Sequence, residues 1–492
     1  MTFILPVFFI VFRYLFLHLN KEIHNYLKGG PNGDAASYYF QIQFFRKNKC
    51  GVPDERAMIT QLPMLTPHIY QTLVGRLFTD KFLLKHQWLP NFLLYSISSL
   101  FFAFILLDEK FPSQEYFFLV SVVVLFLFHP DNFLCDEDRI HFFSLQPRYL
   151  GIMINSIFWF IFITYQGSEI IYLPLIVLLI ITLNISKFCI QSIILSVCVY
   201  SIISMTGEAL ILLIVACFFS VLFFPKSFLP GVMLQFAFLK GYYKSFYKPK
   251  ETKSAFRNIV AKLFSRALLN SYVYLVIFVF FVAQYHLNEH EGAFELRLNS
   301  FNGSMFLIFI VVGIRKFAFL GECWRYLSFN YYFIFPIYGS LLLSELAIPI
   351  KAKYFILLLI IILGMTLYVI SKKKLSKNKM PFLHKLIRDN CKVLKKAIWY
   401  GVPYRGPNIA VALGAGLKTF EFQYGNYSTE IKNEYFSQYP YLKWNTKIIE
   451  DHKVTHILLE KEFNVQAQKI SGFSTANLKL VDENEYYSIF KI

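Results

Sequence analysis

What most constrains this chain is a recurrence of apolar runs, most of them close to the length of a bilayer crossing. They occupy residues 2–19, 89–107, 116–128, 149–165, 170–183, 191–205, 209–224, 271–285, 305–319, 331–346 and 354–370, with a shorter run at 228–239. In hydrocarbon every backbone N–H and C=O must find its partner within the chain, so runs of this kind fold as helices. Only 16% of the 492 residues are charged, where an ordinary soluble chain carries about a quarter. Mean hydropathy, at +0.47, agrees. The expectation is an α-helical polytopic membrane protein of about 11–12 transmembrane helices. The first run contains Arg13 and is followed by no small-residue cleavage site, so it reads as a retained span.

A formal net charge of +18 raises the question of nucleic acid. The lysines and arginines gather between the apolar runs, where they orient spans and meet anionic head groups. Membrane lipids are therefore the expected partners, and nucleic acid is not. The seven cysteines (Cys50, Cys135, Cys189, Cys198, Cys217, Cys323 and Cys391) have no metal-binding spacing. Several lie inside apolar runs, where cysteine acts as a small hydrophobe. Cys50 and Cys135 could pair if their loops meet.

Composition divides the chain into a membrane domain, residues 1–371, and a small soluble α/β domain, residues 380–492. The membrane domain includes a long first non-cytoplasmic loop, 20–88, whose short amphipathic stretches suit a surface fold. In the soluble part, 455–459 and 486–490 read as strands and 408–416 as an apolar run meeting a turn. Gly414, Ala415 and Gly416 lack the third glycine of a nucleotide loop, so a plain turn is expected. The basic stretches 240–266 and 372–379 both ask for the cytoplasm. Both are satisfied only if 228–239 crosses, giving twelve spans; if it does not, the count is about eleven.

Chemistry-bearing residues gather in a few places. Gly29, Gly30, Pro31, Asn32 and Gly33 lead into Asp34, which heads an aromatic amphipathic pattern over 35–46. A carboxylate there suits two tasks that do not exclude each other: capping the helix and taking a proton from an attacking hydroxyl. The stretch 129–151 packs Asp136, Glu137, Asp138, His141 and Arg148 between apolar runs. It reads either as a wet loop or as oxygen ligands for acceptor hydroxyls or a divalent cation. Arg148 can hold a phosphate with its bidentate fork. Lys187, between two apolar runs, either snorkels to the interface or meets a lipid phosphate. Arg325 can pair with Glu322 three residues earlier or reach a phosphate, the latter only in the eleven-span arrangement. His286 and His290 border a polar loop and make no zinc site.

Taken together these residues resemble the GT-C superfamily, polytopic glycosyltransferases that use polyprenyl-phosphate-linked sugars. The likeness rests on Asp34 and its aromatic helix, the acidic loop at Asp136, Glu137 and Asp138, and Pro147, Arg148, Tyr149, Leu150 and Gly151 opening a span. The element Gly321, Glu322, Arg325, Tyr326 and the small C-terminal domain complete it. The chain departs from many relatives in having Ala35, not a second acid, after Asp34. The resemblance implies transfer of a sugar from a polyprenyl-phosphate donor to a hydroxyl of a glycan, lipid or protein acceptor, with inversion. Asp34 would be the general base, with Asp136, Glu137, Asp138 and His141 near the acceptor. Arg148, Lys187 and Arg325 would hold the phosphate. No metal is required, and a divalent cation remains an open cofactor. Rich use of Phe, Ile, Lys and Asn points to a bacterial inner membrane, with the site on its non-cytoplasmic face. The alternatives are a transporter or flippase, which predicts inverted repeats and mid-membrane charges, and a polysaccharide polymerase. An O-acyltransferase would need a membrane-embedded catalytic His, and no apolar run holds an obvious one.

Overall fold

The structure is a computed structural model. It describes residues 34–47, 68–105, 145–165, 169–225, 228–229, 231–233, 292–320, 323–334, 337, 379–390, 394, 397–402, 418–419, 450, 453–471 and 474–492. Isolated positions 7, 10–11, 14–15, 18, 27–28, 30–31 and 167 are also described. Within these residues the chain is mostly helical, with one small mixed sheet.

Among the described residues, three helices fall in the first polar stretch. Helix α1 is Asp34–Lys47, α2 Ile69–Leu77 and α3 Asp80–Lys85. Ala35, Ala36, Tyr39 and Ile42 form the buried stripe of α1, at the spacing of one helix face. At Gly75 of α2 a Cβ would stand 3.3 Å from the Ile42 carbonyl oxygen, so a glycine lets the two helices cross closely. Gln71 Nε2 donates to Gln41 Oε1 at 2.8 Å inside that crossing. Thr79 caps α3, its hydroxyl accepting from the Phe82 N–H at 3.3 Å.

The bundle follows: α4 Leu89–Ile105, α5 Arg148–Tyr165, α6 Tyr172–Leu183, α7 Lys187–Ile203, α8 Glu208–Phe223, α9 Ala293–Gly313 and α10 Cys323–Tyr331. Helix α5 is its centre, buried nearly all round. Hydrogen bonds between side chains lock it to its neighbours. Trp159 Nε1 donates to Asn330 Oδ1 at 3.0 Å, and Asn330 Nδ2 donates to Ser192 Oγ at 3.2 Å, joining α5, α10 and α7. Tyr149 donates to Ser98 Oγ at 3.1 Å and meets the Tyr332 hydroxyl at 3.2 Å. In an apolar interior such pairs have no water to compete for them.

Among the described residues two helices, α5 and α9, are long and apolar enough to cross a membrane; α4, α6, α7 and α8 are apolar but shorter. Helix α9 departs from the apolar run expected at 305–319. It begins at Ala293 and ends at Gly313, where a 3-10 turn, Arg315–Leu320, takes over. The reason is burial of polar side chains: Asn302 and Ser304 are shielded, and Asn302 Oδ1 accepts from the Tyr331 hydroxyl at 2.6 Å. Hydropathy counts those residues as loop, while packing makes them helix.

The C-terminal part carries α11 Met380–Asp389, strands β1 Ile398–Val402, β2 Lys418–Thr419 and β3 His456–Glu460, α12 Asn464–Ser471, and strands β4 Lys479–Glu483 and β5 Tyr487–Lys491. The strand order is β2-β1-β3-β5-β4, with β2, β1 and β3 parallel and the β5 and β4 pairings antiparallel. The strands expected at 455–459 and 486–490 are β3 and β5, each displaced by one residue. Lys379, at the head of α11, fixes that helix to the sheet through Glu460 Oε1 at 2.7 Å and Glu462 Oε1 at 2.6 Å. The two carboxylates raise the Lys379 pKa against the opposing effect of its burial. The run expected at 408–416 and the basic stretches 240–266 and 372–378 lie outside the described residues, as do Cys50, Cys135, His286 and His290.

Candidate functional site

Asp34 is the first residue of α1, and both ends of that helix are fixed. Ahead of it, Gly30 takes φ of +87°, a left-handed conformation that favours glycine, and its N–H donates to the Leu27 carbonyl at 3.2 Å. The same carbonyl accepts from Gln87 Nε2 at 2.9 Å, tying this turn to the chain just before α4. At the far end, Arg46 Nε donates to the Gly75 carbonyl at 2.8 Å, and its two terminal nitrogens reach the Phe78 carbonyl and the Asp80 carboxylate. One guanidinium thus satisfies the end of α2 and pairs with the first residue of α3.

This three-helix platform rests on one end of the bundle. The Ile69 N–H donates to the Asn184 carbonyl at 3.0 Å, just ahead of α7. Tyr70 donates to Asn91 Oδ1 at 3.1 Å, in the first turn of α4, and the backbone of Gln146 hydrogen-bonds to the same hydroxyl, just ahead of α5. Phe45 stacks on His68 with centroids 4.5 Å apart. The starts of α4, α5 and α7 therefore lie together beneath α1 and α2.

Three cations belong to this end. Arg148 is the first residue of α5, Lys187 the first of α7, and Arg325 lies in the first turn of α10. One turn inward, a Cβ on Gly151 would overlap Cys189 Sγ and stand 2.8 Å from Phe329 Cε1. That close approach of α5, α7 and α10 requires glycine. The Arg325 guanidinium carbon sits 5.8 Å from the centroid of the Phe188 ring, which also packs on Tyr326 and Phe329 at 5.3 and 4.9 Å. Gln191 Nε2 donates to the Tyr326 hydroxyl at 2.6 Å and also reaches the Leu320 carbonyl. Ser186 caps α7, its hydroxyl accepting from the Cys189 N–H at 3.2 Å. The positive ends of the α5 and α7 dipoles add to the cations, giving this end the electrostatics that attract an anion.

The chain matches no protein-family model and no curated protein.

Asp34, Arg148, Lys187 and Arg325 thus fall at one end of the bundle. Asp136, Glu137, Asp138 and His141 lie outside the described residues, as does Glu322; the description resumes at Leu145, three residues ahead of Arg148. Among the described residues no three His, Cys, Asp or Glu side chains gather as metal ligands. The position of Arg325 has a topological cause. Helix α9 runs antiparallel to α7: Gly303 lies beside Ile203 at one end, and Leu320 meets Gln191 at the other. Helix α8 ends at the cation-bearing end, where Asn184 Nδ2 donates to Ser220 Oγ at 3.2 Å. The chain therefore leaves α8 at one end of the bundle and enters α9 at the other.

Sequence reasoning passed over several residues of this end. Gln191 and Phe188 were within reach of it, since each neighbours a chosen cation. Arg46 and Gln71 carried no signal, because their partners are far along the chain. Asn155, one turn beyond Gly151 on the same stripe of α5, is fully buried with neither amide atom hydrogen-bonded. A polar residue inside an apolar run was its only mark.

Proposed function

We propose that this chain is a polytopic membrane glycosyltransferase of the GT-C kind. In this reading it moves a sugar from a polyprenyl-phosphate donor to a hydroxyl acceptor on the non-cytoplasmic face of a bacterial inner membrane. The observation that carries the reading is the gathering of Arg148, Lys187 and Arg325 at the end of the bundle on which the Asp34 helix is fixed. Asp34 takes the proton of the acceptor hydroxyl as its oxygen attacks the anomeric carbon. The bond from that carbon to the phosphate oxygen breaks, and the lipid phosphate leaves against the three cations with inversion at carbon. Fixed charges and helix dipoles aimed at the developing phosphate charge need no reorganisation during the step.

Exposed apolar faces support the membrane part of the reading. On α8, Ile211, Ile214, Phe218, Val221 and Leu222 recur on one side, and on α4 so do Leu93, Ile97 and Leu100. Leaving the five side chains of α8 in water would forgo on the order of 10 kcal/mol of burial; against acyl chains they need no cover. The opposite ends of α8 and α9 suit the arrangement of about eleven spans, which the resemblance needs for Arg325 to share a face with Asp34. The same count returns the C-terminal domain to the catalytic side.

The test is sugar transfer in membranes, with a panel of polyprenyl-phosphate sugars and membrane extract as acceptor. Asp34→Asn is expected to abolish transfer with its size-exclusion profile unchanged. Arg325→Gln should lower it at least tenfold. Full activity in Asp34→Asn reduces that residue to a first-turn residue of α1. No transfer by the wild type, over donors proven with a known enzyme, refutes the class.

A further inference from the structure

The C-terminal sheet holds a second group of residues that the proposed transfer reaction does not use. Among the described residues from 379 onward, two buried side-chain polar atoms lack a hydrogen-bond partner: Trp399 Nε1 and His456 Nε2. Trp399 is fully buried and His456 is 5% exposed. They are neighbours. Trp399 on β1 is the register partner of His456 on β3, and their ring centroids are 5.6 Å apart. A buried polar atom left without a partner is destabilising, so two side by side call for a partner in common.

Thr455 accommodates both tautomers of His456. Its hydroxyl oxygen accepts from the Ile398 N–H at 2.9 Å and lies 2.9 Å from His456 Nδ1, but 3.5 Å from the Ile398 carbonyl. The one hydroxyl proton serves either the Ile398 carbonyl, with Nδ1–H donating to the hydroxyl, or Nδ1, which leaves the ring proton on Nε2. In the second case both orphans are donors, and an acceptor placed at Nε2 selects that case.

The same row continues across the sheet. His456 pairs in register with Lys491 on β5, and Lys491 pairs with Lys479 on β4. Register partners project on the same face, so Trp399, His456, Lys491 and Lys479 share one face across four adjacent strands. Both lysines are exposed, and neither makes an ion pair among the described residues. Like charges directly opposite on paired strands repel. A shared counter-anion would remove that repulsion and supply the missing acceptor at once. A water is a poorer occupant: it would accept from the two rings, but its own protons would face a row of donors.

We propose that the row Trp399, His456, Lys491 and Lys479 is an oxyanion-binding site that takes a phosphate or carboxylate group. The buried rings hold its inner oxygen and the lysines guard its mouth. The site is distinct from the cations of the bundle and does not depend on the transfer reaction.

Purified full-length protein in detergent would be dialysed against radiolabelled inorganic phosphate, with acetate as competitor in a second arm. Saturable binding is expected. It should weaken tenfold or more in Trp399→Phe, which keeps an aromatic ring and removes the donor, and again in Lys479→Gln with Lys491→Gln. It should persist when Arg148, Lys187 and Arg325 are all changed to Gln. Displacement by acetate assigns the site to carboxylates as well; no displacement restricts it to phosphate. Unchanged thermal unfolding of each variant guards against loss of fold. Absence of saturable binding overturns the proposal, as does binding that survives both Trp399→Phe and the lysine changes.

Discussion

Replacing Gly151 with alanine tests the meeting of the three cation-bearing helices. Its Cβ would overlap Cys189 Sγ and stand 2.8 Å from Phe329 Cε1. Neither neighbour yields easily. Cys189 is fully buried, its Sγ accepting from the Ser186 hydroxyl at 2.9 Å, and the Phe329 ring is held between α5 and Phe188. Alanine gains about 1 kcal/mol of helix propensity over glycine, while overpacking a tight core costs about 1–3 kcal/mol. A hard overlap with one neighbour and a second close contact put the cost in the upper part of that range, about 2–3 kcal/mol, so the expected net loss is about 1–2 kcal/mol. It would appear as a lower thermal midpoint in a fixed detergent, by a few degrees at most. Adding Cys189→Ala removes the nearer obstacle and should return about half of the loss or more, a coupling of about 1 kcal/mol between the two positions. Sugar transfer should fall more than stability does, because a shift of about 1 Å in catalytic geometry costs about a hundredfold in rate. A Gly151→Ala protein as stable as wild type, or one indifferent to Cys189→Ala, refutes the reasoning.

Three further outcomes follow from the geometry. Arg46→Met removes the donors to the Gly75 and Phe78 carbonyls and the pairing with Asp80; a loss of about 1–3 kcal/mol is expected, read as faster proteolysis of the 34–85 stretch with the bundle intact. Glu460→Gln should destabilise the C-terminal domain by about 1–3 kcal/mol, because that carboxylate is only 5% exposed beside Lys379. Glu462→Gln, at a side chain 55% exposed, should cost no more than about 1 kcal/mol; equal midpoints for the two variants would contradict this ordering. Burial, with Lys491 assisting, holds the His456 pKa below its usual 6.5. The unfolded histidine thus binds a proton more readily than the folded one. Its stabilising contribution is complete above about pH 6.5 and is lost as pH falls from there toward the folded pKa. Unfolding midpoints measured between pH 7.5 and 5 without phosphate should show this decline, and His456→Gln should flatten it.

Much of the local structure is legible in the sequence because it depends on local causes. The apolar runs at 89–107, 149–165, 170–183 and 209–224 became α4, α5, α6 and α8 with ends moved by two residues or fewer, since side-chain hydrophobicity and uninterrupted backbone hydrogen bonding set both. Ser186 ahead of Lys187 and Thr79 ahead of Asp80 are caps readable from residue type. Strands β3 and β5 showed as short apolar stretches because both are buried along most of their length. Helix α9 was misplaced because Asn302 and Ser304 look like loop until Tyr331 and the bundle cover them.

By itself, then, the sequence determined helices α4, α5, α6 and α8 and strands β3 and β5, and it named Asp34, Arg148, Lys187 and Arg325 as candidates for chemistry. Only the tertiary structure decided that Arg325 shares an end with Lys187, through the antiparallel passage of α9 along α7. Only sheet register brought Trp399 and His456, 57 residues apart, side by side with Lys491 and Lys479. Periodicity and capping act over one or two turns of chain, so residue types reveal them. Which distant surfaces meet depends on shape, on single glycines such as Gly75 and Gly151, and on which polar groups find partners, and those are settled only when the whole chain packs.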